Sequence, residues 1–74
     1  MDIDNLIHMA NRIGEFFEAM PVHDEAREGV AQHLRAYWEP RMRQQLVAHV
    51  QANGGTGLRP LVLEAVRERM QLLA

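Results

Sequence analysis

The sequence predicts a small all-α bundle of four short helices, and three observations carry that prediction. Apolar residues recur at steps of three and four in every segment. No stretch alternates apolar and polar residues as a half-buried strand does. The prolines at 21, 40 and 60 and the run Asn53-Gly54-Gly55-Thr56-Gly57 cut the chain into helix-sized pieces.

The first helix is expected over 4–20. Leu6, Met9, Ala10, Ile13, Phe16, Phe17 and Met20 form its stripe, with His8, Asn11, Arg12, Glu15 and Glu18 opposite. Asp2 or Asp4 can cap its start, and Pro21 stops it by disfavouring α geometry in the residue before. The second is expected over 24–38. Asp24, Glu25 and Glu28 suit the positive end of the helix dipole, and Ala26, Val30, Leu34 and Tyr37 make the stripe. Pro40 fits the first turn of a third helix over 41–52, where its missing N–H costs little. Met42, Leu46, Val47, Val50 and His49 give that helix its apolar side, and Gly54 fits a left-handed cap after Asn53. Pro60 opens a fourth helix over 60–72, carrying Leu61, Val62, Ala65, Val66, Met70 and Leu73. The expected core is Leu6, Ile13, Phe17, Val30, Leu34, Leu46, Val50, Leu61, Ala65 and Val66. Gly14 and Gly29, which cost a helix about 1 kcal/mol each relative to alanine, mark places where another backbone approaches.

With 74 residues, residues 1–74 are read as a single helical domain. A chain of this length buries only about 60% of its extended surface, so a partner would help its stability. No run of about 20 apolar residues is present to span a membrane. The acidic start Met1-Asp2-Ile3-Asp4 is unlike a secretory signal, and a cytoplasmic soluble protein is expected.

Serine, lysine and cysteine do not occur. Their absence excludes a Ser-His-Asp hydrolase, a Cys-His enzyme, a Schiff-base lysine, a Walker A lysine and a serine-modified carrier. Thr56 is the only aliphatic hydroxyl and Tyr37 the only phenol. His8, His23, His33 and His49 include no pair three or four apart, so no helix presents two metal ligands. Glu64 and Glu68 share a face but read as solvated. The Gly54–Gly57 run lacks the lysine of a phosphate loop. No catalytic, cofactor-binding or metal-binding residue is assigned.

Charge is uneven. Residues 1–28 carry Asp2, Asp4, Glu15, Glu18, Asp24, Glu25 and Glu28 against Arg12 and Arg27, a net of −5. Residues 29–74 carry six arginines against Glu39, Glu64 and Glu68, a net of +3. Every cation is an arginine, a residue suited to interfaces. The densest part is His33-Leu-Arg-Ala-Tyr-Trp-Glu-Pro-Arg-Met-Arg43. Tyr37 and Trp38 are adjacent on a helix and must point about 100° apart. One ring can enter the core while the other meets a different surface. Arg35, Tyr37, Trp38, Arg41 and Arg43 are therefore the candidate partner interface, with Trp38, Arg41 and Arg43 at its centre. The exposed part of Phe16, or the Met70–Leu73 stretch, stands next. Two other readings remain open. Arg41, Arg43, Gln44 and Gln45 could open the reading helix of a helix-turn-helix DNA binder, although the acidic first half would repel phosphates. A self-contained homodimeric helical module is the third.

The chain resembles the delta subunit of NAD-dependent, molybdenum-containing formate dehydrogenase. The resemblance lies in Met9-Ala-Asn-Arg-Ile-Gly-Glu-Phe-Phe17, in His33 to Arg43 and in Ala48-His49. It continues in Gly57-Leu-Arg-Pro-Leu-Val62 and Glu64-Ala-Val66. It implies a non-catalytic accessory subunit of a cytoplasmic complex that oxidises formate to carbon dioxide and reduces NAD. The implied partner is the large molybdenum-bearing subunit, whose assembly, stability or cofactor maturation the chain would support. Molybdenum cofactor, iron–sulfur clusters and flavin would sit in the partner complex and none in this chain. The implied subunit binds no nucleic acid and no membrane; the isolated chain could form a homodimer. Arg59, not a capping side chain, precedes Pro60.

Overall fold

The prolines and the glycine turn fall between helices, as their chemistry requires. The computed structural model describes residues 2–74 and contains α1 (Ile3–Glu18), α2 (His23–Tyr37), α3 (Pro40–Asn53), α4 (Pro60–Glu68) and α5 (Met70–Leu73). No strand occurs among the described residues. Asp2 caps α1, its Oδ1 accepting the Asp4 N–H at 3.1 Å. Pro40 and Pro60 open α3 and α4, and the residues before them, Glu39 and Arg59, are extended. Gly54 closes α3 at φ 69°, donating its N–H to the Val50 carbonyl at 3.0 Å.

The helix expected over 60–72 is two pieces. Arg69 leaves helical geometry at φ −127° and ψ 36°, while its Nε donates to Glu28 of α2 at 2.9 Å. The one-turn α5 that follows packs against α2, α3 and α4 and buries Leu73. Periodicity alone does not reveal such a break, because Met70 and Leu73 keep helical spacing across it.

The core is aliphatic and contains many small residues. Leu6, Ala10, Val30, Ala31, Leu34, Val62, Ala65 and Val66 are wholly enclosed, with Leu46, Val50 and Leu61 close behind. Ile13 and Phe17, expected in this core, are only half-buried and pack at its edge. The reason is the face that α1 turns inward. Its buried line is Leu6, Ala10 and Gly14, four residues apart, and the smallest of these meets α4. A Cβ built on Gly14 would lie 2.6 Å from Val62 Cγ2. The larger neighbours are displaced to the flank. Gly29 of α2 is a notch of the same kind, with the Phe17 ring where its Cβ would be, at 2.5 Å. Both glycines admit a side chain, not the neighbouring backbone expected from the sequence.

These two notches separate experimentally. Alanine at either position gains about 1 kcal/mol in helix propensity, and overpacking a filled site costs about 1–3 kcal/mol. At Gly14 the obstructing Val62 is enclosed and β-branched, so it cannot turn aside. At Gly29 the half-exposed Phe17 ring can swing outward. Gly14→Ala is expected to lower the urea midpoint, followed by far-UV circular dichroism, and Gly29→Ala to change it far less. A Gly14→Ala chain that shows the full propensity gain of about 1 kcal/mol over wild type would refute the close approach of α1 to α4.

Candidate functional site

The corner between α2 and α3 holds the residues that the sequence singled out, and it divides them. Tyr37 and Trp38 diverge as adjacent residues must. Tyr37 is 76% exposed, whereas Trp38 is 6% exposed and belongs to the core. Trp38 ends α2 in an extended conformation, φ −88° and ψ 140°. Arg43 is also buried, at 7% exposure. Its Nη1 donates to the Arg35 carbonyl at 2.8 Å and, at longer range, to the Trp38 carbonyl at 3.5 Å. The last carbonyls of a helix have no partner within it, and they form the negative end of its dipole. Arg43 supplies both hydrogen and charge there. Its Nε is enclosed without an acceptor. Trp38 and Arg43 are therefore internal struts of the corner, which corrects the expectation of an outward Trp38–Arg41–Arg43 patch. Arg35, Tyr37 and Arg41 remain on the outside. With Arg43 enclosed, Arg41, Arg43, Gln44 and Gln45 do not form one accessible row for reading bases.

A second cluster joins parts of the chain that the sequence keeps far apart. The Asn11 side-chain amide donates from Nδ2 to the Gly57 carbonyl at 2.9 Å, and its Oδ1 accepts the Arg59 N–H at 2.9 Å. Two turns further along α1, Glu18 receives Nε–H and Nη2–H of Arg59, both at 2.7 Å. This planar two-point pairing is the geometry arginine favours with a carboxylate. It holds the Glu18 carboxyl below its usual range and raises the Arg59 guanidinium. His49 closes the same turn from α3. Its Nε2–H donates to the Thr56 carbonyl at 2.8 Å, which leaves Nδ1 to accept from Asn53 Nδ2 at 3.2 Å. Arg59, which has no capping side chain for α4, is instead the residue that docks the start of α4 on α1.

The other histidines are dispersed. His8 is exposed, and His23 donates to Glu64 at 2.9 Å beside Arg27. Among the described residues no group of three or more His, Asp or Glu could hold a metal ion. Glu28 accepts from Gln32 and from Arg69, and in that order these bonds lower its carboxyl from the usual range. A cleft of about 350 Å³ between the α1–α2 connection and α4 is bounded by Glu18, His23 and Glu64. All three are already engaged with the partners described.

The remaining feature is an outward row of rings. Phe16 meets Phe17 edge-on at 5.1 Å between centroids. Phe17 reaches His33 at 6.1 Å, and His33 lies 4.7 Å from Tyr37. Phe16 is 74% exposed. Sequence periodicity placed Phe16 and Phe17 together on the inner stripe of α1. Only the displacement of that stripe toward Gly14 shows which of its members face outward.

A family model described as "NADH-dependant formate dehydrogenase delta subunit FdsD" matches residues 5–66. The span contains Asn11, Gly14, Glu18, Arg43, Arg59 and Val62, the residues that make the contacts above. No curated protein and no solved structure matches the chain.

Two measurements probe this framework. In the folded chain the hydrogen bonds from Arg59 hold the Glu18 carboxyl below its usual range, so the unfolded chain takes up its proton first as the pH falls. The pairing with Arg59 is therefore fully present at neutral pH and lost as the pH drops through the folded value. Glu18→Gln should melt below wild type at neutral pH, and the gap should close in acid; a gap independent of pH would contradict the assignment. Arg43→Ala should cost roughly 1–3 kcal/mol by stranding a buried carbonyl. Arg41→Ala, an exposed change, should stay within about 0.5 kcal/mol of wild type.

Proposed function

Because the chain belongs to the NADH-dependent formate dehydrogenase delta-subunit family, we propose that it works there as a non-catalytic accessory subunit. It binds the large molybdenum-bearing subunit of a cytoplasmic complex and supports that subunit's assembly, stability or cofactor maturation. One observation carries this reading. Within the family span, the polar side chains best suited to chemistry are occupied in holding the fold. Asn11 bonds the backbone of the loop before α4, Glu18 is paired with Arg59, and Arg43 is spent on carbonyls of α2. Among what remains outward are aromatic rings and arginines without ion pairs, residue types that contact surfaces favour.

The cofactors of the reaction belong to other subunits in this reading. Iron–sulfur clusters are held chiefly by thiolates, and the chain has no cysteine. No helix among the described residues is long and apolar enough to cross a membrane. Arg35, Tyr37 and Arg41 are the proposed partner-facing residues of the α2–α3 corner, with Trp38 and Arg43 bracing it from within.

Coexpression tests the reading. Omitting this chain should lower the yield of active, molybdenum-loaded large subunit, while the purified chain alone should turn over no formate. Arg35→Ala combined with Arg41→Ala should keep the helical circular dichroism spectrum. If the corner holds a hot spot, capture of the large subunit should weaken by about thirtyfold. Wild-type capture by that double variant would remove the corner from the interface. An undiminished yield without the chain would remove the accessory role.

A further inference from the structure

The groove between α1 and α2, beside the ring row, is built to take something. It measures about 310 Å³ and is lined by Arg12, Ile13, Phe16, Phe17 and His33. The chain has four residues of Phe, Trp and Tyr type, and only Trp38 is in the core; the other three lie along this row. Exposing Phe16 and Tyr37 to water at 74% and 76% sacrifices burial that a chain this small could use. The Phe17 ring, seated in the Gly29 notch, forms the floor as long as that notch stays open. A pre-formed apolar wall loses little freedom when it is covered.

Charge indicates the occupant. No carboxylate lines the groove, and its one cation is Arg12. Arg27, Arg59 and Arg69 each hold a carboxylate, whereas Arg12 makes no ion pair among the described residues. Arg12 and Phe16 are one turn apart on α1, about 6 Å along its axis. A complementary helix would carry an apolar residue for the groove and a carboxylate one turn away for Arg12, the spacing by which amphipathic helices are read in grooves. A second copy of this chain presenting the same face would bring another guanidinium to the groove and no carboxylate from its lining.

We infer that this groove docks an amphipathic helix of another subunit of the formate dehydrogenase complex, anchored by an apolar side chain beside Phe16 and by a carboxylate on Arg12. The inference rests on the accessory-subunit reading above and adds a docking site to it, distinct from the α2–α3 corner.

A photo-crosslinking residue, benzoylphenylalanine, placed at position 16 in the coexpressed complex tests it directly. Peptide mapping should find the crosslink on a helical segment of another subunit, with an acidic residue three or four positions from the crosslinked apolar one. Arg12→Glu and Phe16→Ala, both exposed and checked by circular dichroism, should each weaken retention of the chain by about tenfold or more. Reversing the mapped acidic residue to arginine should restore retention of Arg12→Glu. Three results overturn the docking site while leaving the accessory reading intact: an assembled complex without a crosslink, one crosslinked only between copies of this chain, or one that retains Arg12→Glu and Phe16→Ala normally. A chain absent from the purified complex altogether overturns the groove as a docking site, and the accessory reading falls with it if omitting the chain also leaves the yield undiminished.

Discussion

A single carboxamide sets the geometry from which much else follows. Asn11 offers one donor and one acceptor, and both are taken by the backbone of the loop that leads into α4. The partners are 46 and 48 residues away in the chain. Such a two-point grip fixes the orientation of a helix against a loop as well as its distance. With the start of α4 held there, Val62 falls on Gly14, and the inward line of α1 becomes Leu6, Ala10 and Gly14. Ile13 and Phe17 are then displaced to the edge, and Phe16 is turned outward. The aromatic row is a result of that register: the same helix rotated toward its bulkier residues would bury the rings and leave no groove.

The corner at Trp38 solves a different problem. The end of a helix leaves carbonyls without partners in the helix itself. Backbone capping handles the Leu34 carbonyl, which accepts from the Trp38 N–H at 3.0 Å. Arg43 handles the Arg35 carbonyl from the following helix. A buried guanidinium without a carboxylate is costly to desolvate, and here the carbonyl dipoles of Arg35 and Trp38 and the end of the helix dipole substitute for the missing anion. Lysine could not reproduce this, since it offers a point charge and not a planar fork. Pro40 contributes by making the turn stiff enough to bring Arg43 back over α2.

What could be read in advance was local. Helix boundaries near Pro21, Pro40 and Pro60 and the left-handed Gly54 follow from backbone chemistry within a few residues, and the structure agrees. Val30, Leu34, Leu46, Val50, Leu61, Ala65 and Val66 were legible from spacing. Gly14 and Gly29 could be flagged, but not the side chain that each admits. What escaped depended on distant partners. Nothing near Arg43 announces that the carbonyls of Arg35 and Trp38 lie within its reach, and an arginine beside aromatics reads equally well as surface. Whether Tyr37 or Trp38 turns inward is decided by the extended backbone at Trp38, after the periodicity has ended. The break at Arg69 is accompanied by an ion pair to Glu28, and the flank position of Phe17 depends on Val62. The candidate interface was legible as a place in the chain, the end of α2, and illegible as a set of exposed atoms.

The inward turn of Trp38 has an optical consequence. It is the only tryptophan in the chain, enclosed at the end of α2 and away from the Phe16 groove. Indole emission shifts with the polarity around the ring. In this molecule it therefore follows the integrity of the core and the strut at Arg43, while the surface ring Tyr37 belongs to the opposite environment. An event confined to the groove would leave the emission maximum in place, and loosening of the corner would move it to the red. The protein thus carries its own internal fluorophore, which separates damage to the scaffold from occupation of its face.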